Sequence, residues 1–261
     1  MLEIEKIMTN LETDFIGREI HYFEKISSTN TVAKRQAQKD AKEGTTIIAE
    51  TQTRGKGRLN RTWLSPKGGI WLSIILRPEI AAEESLKITL TGAVAVAKTL
   101  RKMFNLKAEI KWPNDVLINH KKVCGILTEA ALKGKTINFV IIGIGINANF
   151  TLMTLPKNLQ ATATTLKEAL REDVDREKLV CFLLKEFESC YKMFKERKFK
   201  QLLKEWRAMA SFLGKEVEVV SFKEKFRGVA TDIDNDGTLI VKLADGTTKK
   251  VLSGDVTVRK V

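Results

Sequence analysis

The segment with the clearest chemistry is a basic stretch with the sequence TQTRGKGRLNRTW, residues 51–63, called the basic loop below. It contains four cationic side chains, Lys67 follows as a fifth, and no Asp or Glu occurs between Thr51 and Lys67. Gly55 and Gly57 permit backbone angles that other residues avoid, so backbone N–H and guanidinium groups can face one anion. The pattern predicts an anion-binding loop, although an exposed basic loop without a ligand has the same composition.

Two further segments combine polar residues with Gly or Pro. KWPNDVLINHKKVCG covers residues 111–125, where Pro113 and the following Asn-Asp pair favour a sharp corner after a strand. GIGIN covers residues 143–147 and differs from the dinucleotide-binding GxGxxG pattern, because the third glycine is missing and no helix clearly follows. Taken singly, the first is also typical of a well-made turn and the second of a glycine-containing strand end.

Together the three segments resemble those of the biotin protein ligases, which activate biotin with ATP and attach it to a lysine of an acceptor protein. The family's loop reads roughly GRGRxGRxW, and residues 55–63 read GKGRLNRTW. Lys56 keeps the charge of the first arginine without its planar fork. Asn60 replaces a glycine and tolerates positive φ better than other side chains do. The resemblance covers residues 20–147 closely and 214–261 loosely, and KWPND is its most specific short match.

The resemblance implies roles for fourteen residues. Catalysis is expected from Lys122 and Arg58, which would neutralise the biotin carboxylate and the α-phosphate of ATP. Lys122 stands three residues before Gly125, as the family's biotin-carboxylate lysine does, and Lys121 would face the other side of a regular strand. The biotin-binding set is Ser28, Thr29, Asn30, Gln52, Lys56, Gly57, Arg58, Lys122 and Gly125. The ATP-binding set is Arg61, Trp63, Asn114, Asp115 and Asn147.

The chemistry implied by the resemblance has two steps. The biotin carboxylate joins the α-phosphate of ATP to give biotinyl-5′-AMP and pyrophosphate, and an acceptor lysine then attacks the mixed anhydride. Biotin and ATP are the expected ligands. Mg²⁺ would be held mostly by phosphates and water, with Asp115 able to assist, so no metal-ligating residue is assigned. The expected partner is a biotin carboxyl carrier protein or domain of a biotin-dependent carboxylase or decarboxylase, and a homodimer remains open.

Hydrophobic periodicity predicts the elements that position these residues. Residues 1–15 suggest only a turn or two of helix. Strands are predicted at 20–23, 45–50, 70–76, 108–111, 116–118, 121–130 and 136–142, and helices at 31–42, 85–104, 161–171 and 176–211. Ser27 to Asn30 are N-cap candidates for the first long helix, and Gly44 is its C-cap candidate. His120 falls in a hairpin turn and is expected to be exposed without a role.

From Lys215 the pattern changes to short strands joined by tight turns such as Asn235-Asp236-Gly237. The predicted fold is α+β, with a central mixed or antiparallel sheet flanked by helices and a small C-terminal β-barrel. The resemblance implies that the sheet with its flanking helices is similar to class II synthetases and that the C-terminal barrel is SH3-like. We expect a catalytic ligase domain at residues 1–213 and the SH3-like domain at residues 214–261.

Charge leaves a competing interpretation open. The 261-residue chain has 45 Lys and Arg against 32 Asp and Glu, and a formal charge of +13 also suits a basic nucleic-acid-binding protein. The excess lies in residues 54–67 and 185–207, and no recognition-helix motif accompanies it, so specific DNA binding is not expected. Fewer than twenty residues precede residue 20, so we also expect no helix-turn-helix repressor module of the kind that some biotin protein ligases carry.

Two other enzymatic interpretations remain. A lipoate-protein ligase would share the fold and the acyl-adenylate chemistry, and an acyltransferase would use Cys124 as nucleophile with Lys122 as base, since the two share a face of a regular strand. Cys124, Cys181 and Cys190 lack CxxC spacing and predict free thiols. No signal peptide or membrane-length apolar run is evident, so a cytoplasmic enzyme without membrane association is expected.

Overall fold

The computed structural model describes residues 1–134, 136–221 and 224–258. In these ranges the α-helices are α1 Ile4–Asn10, α2 Thr29–Ala37, α3 Ser85–Phe104, α4 Lys157–Gln160, α5 Leu166–Leu170, α6 Arg176–Lys195 and α7 Phe199–Met209. The strands are β1 Ile20–Ile26, β2 Thr46–Gln52, β3 Ile70–Leu76, β4 Ala108–Lys111, β5 Asp115–Ile118, β6 Lys121–Lys133, β7 Thr136–Ile146, β8 Glu216–Val220, β9 Lys225–Ile233, β10 Leu239–Lys242, β11 Thr248–Val251 and β12 Asp255–Val258. None of these helices is both long and apolar enough to cross a membrane.

The larger sheet has seven strands in the order β1-β2-β3-β7-β6-β5-β4. Strands β1 and β2 are parallel and the other neighbours are antiparallel. Strand β3 is buried along its whole length, because both faces of the sheet are covered: Ile75 packs towards α2 and Ile74 towards the core that contains α3 and α6. Burial on both faces explains its continuous apolar sequence. The predicted mixed sheet flanked by helices is confirmed.

A second, separate sheet follows near the C-terminus. Its five antiparallel strands lie in the order β11-β10-β9-β8-β12, as expected for the SH3-like part of the fold. The Trp112 indole N–H donates to the Gly237 carbonyl oxygen at 2.9 Å, and Trp112 is buried. The KWPND corner of the larger sheet is thereby bonded to a tight turn of the smaller one.

The first long helix ends earlier than predicted. It spans Thr29–Ala37 instead of 31–42, and the Arg77 guanidinium donates to the Ala37 and Ala41 carbonyl oxygens at 2.9 Å, which satisfies the end of the helix. The C-cap assignment of Gly44 is therefore wrong. Gly44 has φ +90°, and a Cβ there would stand 2.3 Å from the Phe15 carbonyl oxygen. A close backbone approach, rather than a helix end, requires glycine at this position.

Two more helix predictions were too long. The segment 176–211 is two helices, α6 and α7, with Arg197 at φ 60° between them. Phe194 and Phe199 are both buried and meet edge to face with ring centroids 6.2 Å apart. On one continuous helix they would point about 140° apart, so the break lets both reach the core. The segment 161–171 is helical only at Leu166–Leu170, where Thr165 caps the helix by accepting from the Glu168 N–H at 3.1 Å.

Candidate active site

All fourteen candidate residues line one cavity of about 270 Å³, called the central cavity below. They come from the start of α2, the end of β2, the basic loop, the corner between β4 and β5, strand β6 and the end of β7. Apolar side chains, among them Trp71, Leu72 and Leu159, line the same cavity. The cavity therefore combines an apolar wall with a few convergent polar groups, as small-molecule sites do.

One end of the cavity is built from a chain of neutral hydrogen bonds. The Gln52 side-chain oxygen accepts from the Thr29 N–H at 2.8 Å and lies 3.1 Å from the Thr29 hydroxyl. Ser28 stands at the N-cap of α2 but makes no side-chain cap hydrogen bond. Gln52, rather than Ser28, therefore caps this helix, so the simple N-cap explanation of residues 27–30 is wrong. The arrangement presents amide and hydroxyl groups to the cavity.

The basic loop folds as a small hairpin. The Gly57 N–H donates to the Arg61 carbonyl oxygen at 2.7 Å, and the Trp63 N–H donates to the Gly55 carbonyl oxygen at 2.9 Å. Asn60 has φ 58°, so the expectation that Asn replaces glycine at a left-handed position is confirmed. The preceding Leu59 is left-handed as well, with φ 53°. This tight hairpin directs several of the loop's cations into the cavity.

Arg58 joins the basic loop to the smaller sheet. Its guanidinium donates to the Asn114 side-chain oxygen at 3.1 Å and to the Gly254 carbonyl oxygen at 3.2 Å, and it lies 3.9 Å from the Asp255 carboxylate. Burial lowers the pKa of Arg58, while the nearby Asp255 and Asp115 carboxylates act in the opposite direction. An arginine remains charged under these conditions. A partly desolvated guanidinium of this kind is favourable for an anionic ligand.

Lys122 is held both at its backbone and at its ammonium group. Its N–H donates to the Thr162 carbonyl oxygen at 2.8 Å, and its carbonyl oxygen accepts from the Thr164 N–H at 2.9 Å. Its Nζ lies 2.6 Å from Asp115 Oδ1, although the contact is not aligned as a hydrogen bond, and 5.0 Å from the centroid of the Trp63 ring. The backbone bonds fix the direction in which Lys122 enters the cavity, and the face of the Trp63 ring attracts its ammonium group.

The two candidate asparagines also support the backbone around the cavity. Asn114 donates its side-chain N–H to the Ile126 carbonyl oxygen at 2.9 Å. Asn147 is 5% exposed and donates to the Thr164 carbonyl oxygen at 3.0 Å. Both line the cavity, but these donors are already engaged. Both asparagines therefore stabilise the backbone around the cavity in addition to any contact that they make with a ligand.

Cys124 does not share a face with Lys122, contrary to the expectation for a regular strand. Between β5 and β6 the register shifts: Leu117 pairs with Lys122 but Val116 pairs with Cys124, so Val123 is an extra, bulged residue. Cys124 is completely buried, and burial raises the pKa of its thiol far above the ordinary value. A protonated, enclosed thiol is a poor nucleophile, which argues against the acyltransferase interpretation.

His120 is exposed at the hairpin turn, as predicted, with its ring 3.4 Å from Glu109.

Charge in the cavity is unevenly balanced. Four cationic side chains, Lys56, Arg58, Arg61 and Lys122, line it against two carboxylates, Asp115 and Asp255. Asp255 lies 2.5 Å from Arg61, and Asp115 lies beside Lys122. A polyanion entering the cavity can replace these carboxylates as the partner of the cations and neutralise the remaining positive charge.

Sequence reasoning missed three components of this site. Asp255 and residues 162–164 are brought in by distant parts of the chain, and no local pattern marks them. Glu129 is different, because it occupies the same face of β6 as Leu127 and Ala131, where a charge interrupts an apolar alternation. This interruption of the apolar alternation could have identified Glu129 as a candidate site residue from the sequence alone.

Comparison with known proteins gives matches along almost the whole chain. A model of the biotin/lipoate A/B protein ligase family matches residues 22–147, and a model of the biotin protein ligase C-terminal domain matches residues 212–259. The bifunctional ligase/repressor BirA of Bacillus subtilis is 36% identical over 98% of this chain and 78% of its own length. The biotin–[acetyl-CoA-carboxylase] ligase of Paracoccus denitrificans is 29% identical over 75% of this chain and 83% of its own. Among solved structures, a biotin protein ligase from Aquifex aeolicus in complex with biotin and ATP is 31% identical, with a TM-score of 0.79, over 94% of this chain and all of that one.

Proposed function

The chain belongs to the biotin protein ligase family, and from that premise we propose that it uses ATP to attach biotin to a lysine of a biotin carboxyl carrier protein or domain. The observation that carries the proposal is the convergence of all fourteen candidate residues on the central cavity. The names of relatives such as the Paracoccus denitrificans enzyme support a biotin-dependent carboxylase as the source of the acceptor. Residues 1–213 are the proposed catalytic domain and residues 214–261 the proposed SH3-like domain.

In the first proposed step, a carboxylate oxygen of biotin attacks the α-phosphorus of ATP. The bond between that phosphorus and the bridging oxygen breaks, pyrophosphate leaves with the electron pair, and biotinyl-5′-AMP remains. Arg58 and Lys122 bring a guanidinium and an ammonium group into one cavity, where they offset the repulsion between two anions and stabilise charge on the α-phosphate. Holding both substrates in one cavity supplies the proximity that the reaction needs.

In the second proposed step, the neutral amine of an acceptor lysine attacks the carbonyl carbon of the mixed anhydride. The bond from that carbon to the phosphate oxygen breaks, AMP leaves, and the nitrogen loses a proton as the amide forms. No residue of the chain forms a covalent intermediate. Arg61 and Trp63, which lie on the basic loop, are proposed to cover the nucleotide and limit hydrolysis of the adenylate.

Mg²⁺ is proposed to accompany ATP and to supply additional charge neutralisation at the phosphates. Asp115 and Asp255 place carboxylate oxygens on the cavity, which are the donors that Mg²⁺ prefers. Within the described ranges, no group of three or more His, Cys, Asp or Glu side chains forms a metal site. The donor set therefore fits an ion held mainly by phosphates and water, with Asp115 assisting.

Free thiols at all three cysteines support the cytoplasm as the proposed compartment.

Mass spectrometry of the acyl-adenylate tests this proposal directly. The protein is incubated with Mg-ATP and either biotin or lipoate, and a biotin carboxyl carrier domain is added in a second reaction. Biotinyl-5′-AMP followed by biotin on the carrier lysine is the expected result. Lipoyl-AMP as the only product would keep the adenylation chemistry and overturn the substrate. Absence of both adenylates would overturn the function.

A further inference from the structure

Glu129, on strand β6, connects the basic loop to the neutral end of the central cavity. Its Oε1 lies 3.6 Å from Lys56 Nζ, and its Oε2 accepts from the Asn30 side-chain N–H at 2.7 Å. Glu129 itself is not among the residues that line the cavity, whereas Lys56 and Asn30 are. Any influence of its carboxylate on a ligand must therefore pass through those two side chains.

The carboxylate fixes the orientation of the Asn30 amide. An ionised carboxylate can only accept hydrogen bonds, so Asn30 must turn its NH₂ group to Glu129. Its oxygen then faces Ser73, whose hydroxyl donates to it at 2.6 Å. Asn30 is 4% exposed and Ser73 is fully buried, so solvent offers no competing partner. The same NH₂ group also donates to the Leu127 carbonyl oxygen at 3.4 Å, but the shorter, charged contact with Glu129 is the stronger of the two and dominates the orientation of this buried amide.

The orientation of the Asn30 amide also determines the direction of the hydrogen bond between the Ser73 and Thr29 hydroxyl groups. Since the single Ser73 proton is used on Asn30, the Thr29 hydroxyl gives its proton not to the Gln52 side-chain oxygen, 3.1 Å away, but to the Ser73 oxygen, which is closer at 2.7 Å. Otherwise two oxygen lone pairs would face each other at that distance. The Thr29 backbone N–H is directed to Gln52 at 2.8 Å. Donors and acceptors along this side of the cavity are therefore in one fixed arrangement that originates at Glu129.

The second oxygen of Glu129 acts on the basic loop. Lys56 is paired through its backbone with Thr62 inside the loop hairpin, so attraction at its ammonium group draws the hairpin towards β6. Only charge is required for this contact, because at 3.6 Å the ammonium is a point-charge partner. This explains how lysine can serve at a position where the family's loop has arginine.

We propose that Glu129 is a positioning residue for biotin, which sets the hydrogen-bonding polarity of Asn30, Ser73 and Thr29 and, through Lys56, holds the basic loop beside them. The inference rests on the proposed function, because biotin is the ligand assigned to this end of the cavity. Loss of Glu129 impairs biotin binding selectively, and the nucleotide end of the cavity is left unchanged.

Steady-state adenylate formation, with biotin and ATP varied separately, tests the inference. Glu129→Ala raises KM for biotin about tenfold and changes KM for ATP by less than about twofold. The Lys56–Glu129 ion pair is the interaction that Glu129→Gln and Lys56→Ala both remove. Each is expected to raise KM for biotin about threefold, and their combination is expected to cost no more than the larger of the two. Glu205→Gln is the matched control, since it breaks the 2.9 Å ion pair with Lys98 away from the cavity.

The possible results separate the inference from the function on which it rests. Wild-type synthesis of biotinyl-5′-AMP together with an unchanged KM for biotin in Glu129→Gln and Lys56→Ala overturns the inference alone. Equal increases in KM for biotin and for ATP also overturn it, because a merely structural role affects both ends. Absence of biotinyl-5′-AMP from the wild-type reaction overturns both. Lys56 is on an exposed part of the loop, so its variants remain informative if Glu129→Ala fails to fold.

Discussion

Gly143 and Asn30 approach each other so closely that a Cβ added to Gly143 would lie 2.0 Å from Asn30 Oδ1. Asn30 cannot simply turn away, because its amide is hydrogen-bonded to Ser73 at 2.6 Å and to Glu129 at 2.7 Å. The first glycine of the GIGIN segment is therefore required by the amide packed against it. This connects a sequence motif to the end of the cavity that is proposed to bind biotin.

The first prediction is that Gly143→Ala impairs biotin binding. Displacing the Asn30 amide raises KM for biotin about tenfold with little change in KM for ATP, and overpacking lowers the free energy of unfolding by about 1–3 kcal/mol. Steady-state kinetics and chemical denaturation measure the two effects. Gly228→Ala is the control: its Cβ would stand 2.4 Å from the Lys242 carbonyl oxygen in the smaller sheet, so stability falls without a change in KM. A folded Gly143→Ala with wild-type KM for biotin would contradict the proposed location of the biotin site.

Local sequence signals were sufficient for much of the fold and for the candidate residues. The helix at Ser85–Phe104 and the strands at Ile70–Leu76 and Ala108–Lys111 have the predicted bounds, because each is governed by its own hydrophobic periodicity. The fourteen residues chosen by family resemblance all line one cavity. Their individual roles remain predictions.

The features that were missed depend on contacts between distant segments. The break at Arg197 is set by the need of Phe194 and Phe199 to reach one core, and the bulge at Val123 by the pairing of β5 with β6. Asp255 reaches the cavity only because the smaller sheet docks against the larger one. None of these contacts is encoded within a short window of sequence.

The second prediction concerns Trp63 and its glycine support. A Cβ on Gly145 would lie 2.6 Å from Trp63 Nε1, so Gly145→Ala must displace the indole from its position against β7 and from Lys122. Because Trp63 is proposed to cover the nucleotide, KM for ATP rises about fivefold, and KM for biotin rises less.

Fluorescence reports this displacement independently of activity. Trp71, Trp112 and Trp206 are almost completely buried, whereas Trp63 is partly exposed. Gly145→Ala is expected to shift the emission to longer wavelength, and Trp63→Phe should abolish that shift when the two substitutions are combined. An unchanged spectrum with an unchanged KM for ATP would show that Trp63 does not rest on Gly145.

The third prediction is that Cys124 is chemically inert. Burial raises the pKa of its thiol, so the thiol stays protonated as the pH rises through the ordinary cysteine range, and the reactive thiolate does not form. Iodoacetamide is expected to leave Cys124 unmodified up to about pH 9 in the native protein, and Cys181, which is partly exposed, serves as the internal comparison. Cys124→Ala keeps adenylate formation within about twofold of wild type. Loss of activity without loss of stability would revive the thiol nucleophile.

The fourth prediction is that Arg58→Ala and Lys122→Ala each lower kcat/KM for adenylate formation by at least about 100-fold. Both cations line the cavity where two anionic substrates are proposed to meet. Single-turnover detection of biotinyl-5′-AMP measures the loss without interference from the transfer step.

The fold is expected to survive both substitutions, because the ion pairs that are lost are partly exposed and such pairs contribute at most about 1 kcal/mol. Arg58→Ala also removes hydrogen bonds to Asn114 and Gly254, so it is expected to lower the free energy of unfolding by about 1–3 kcal/mol without unfolding the protein. The backbone of Lys122 also stays bonded to Thr162 and Thr164 whatever its side chain is. Lys121→Ala and Arg54→Ala remove neighbouring, exposed cations and should retain wild-type rates. If these controls lose as much activity as the cavity variants, general attraction of anions by a basic surface explains the effect. If Arg58→Ala or Lys122→Ala is fully active, the catalytic assignment is wrong for that residue.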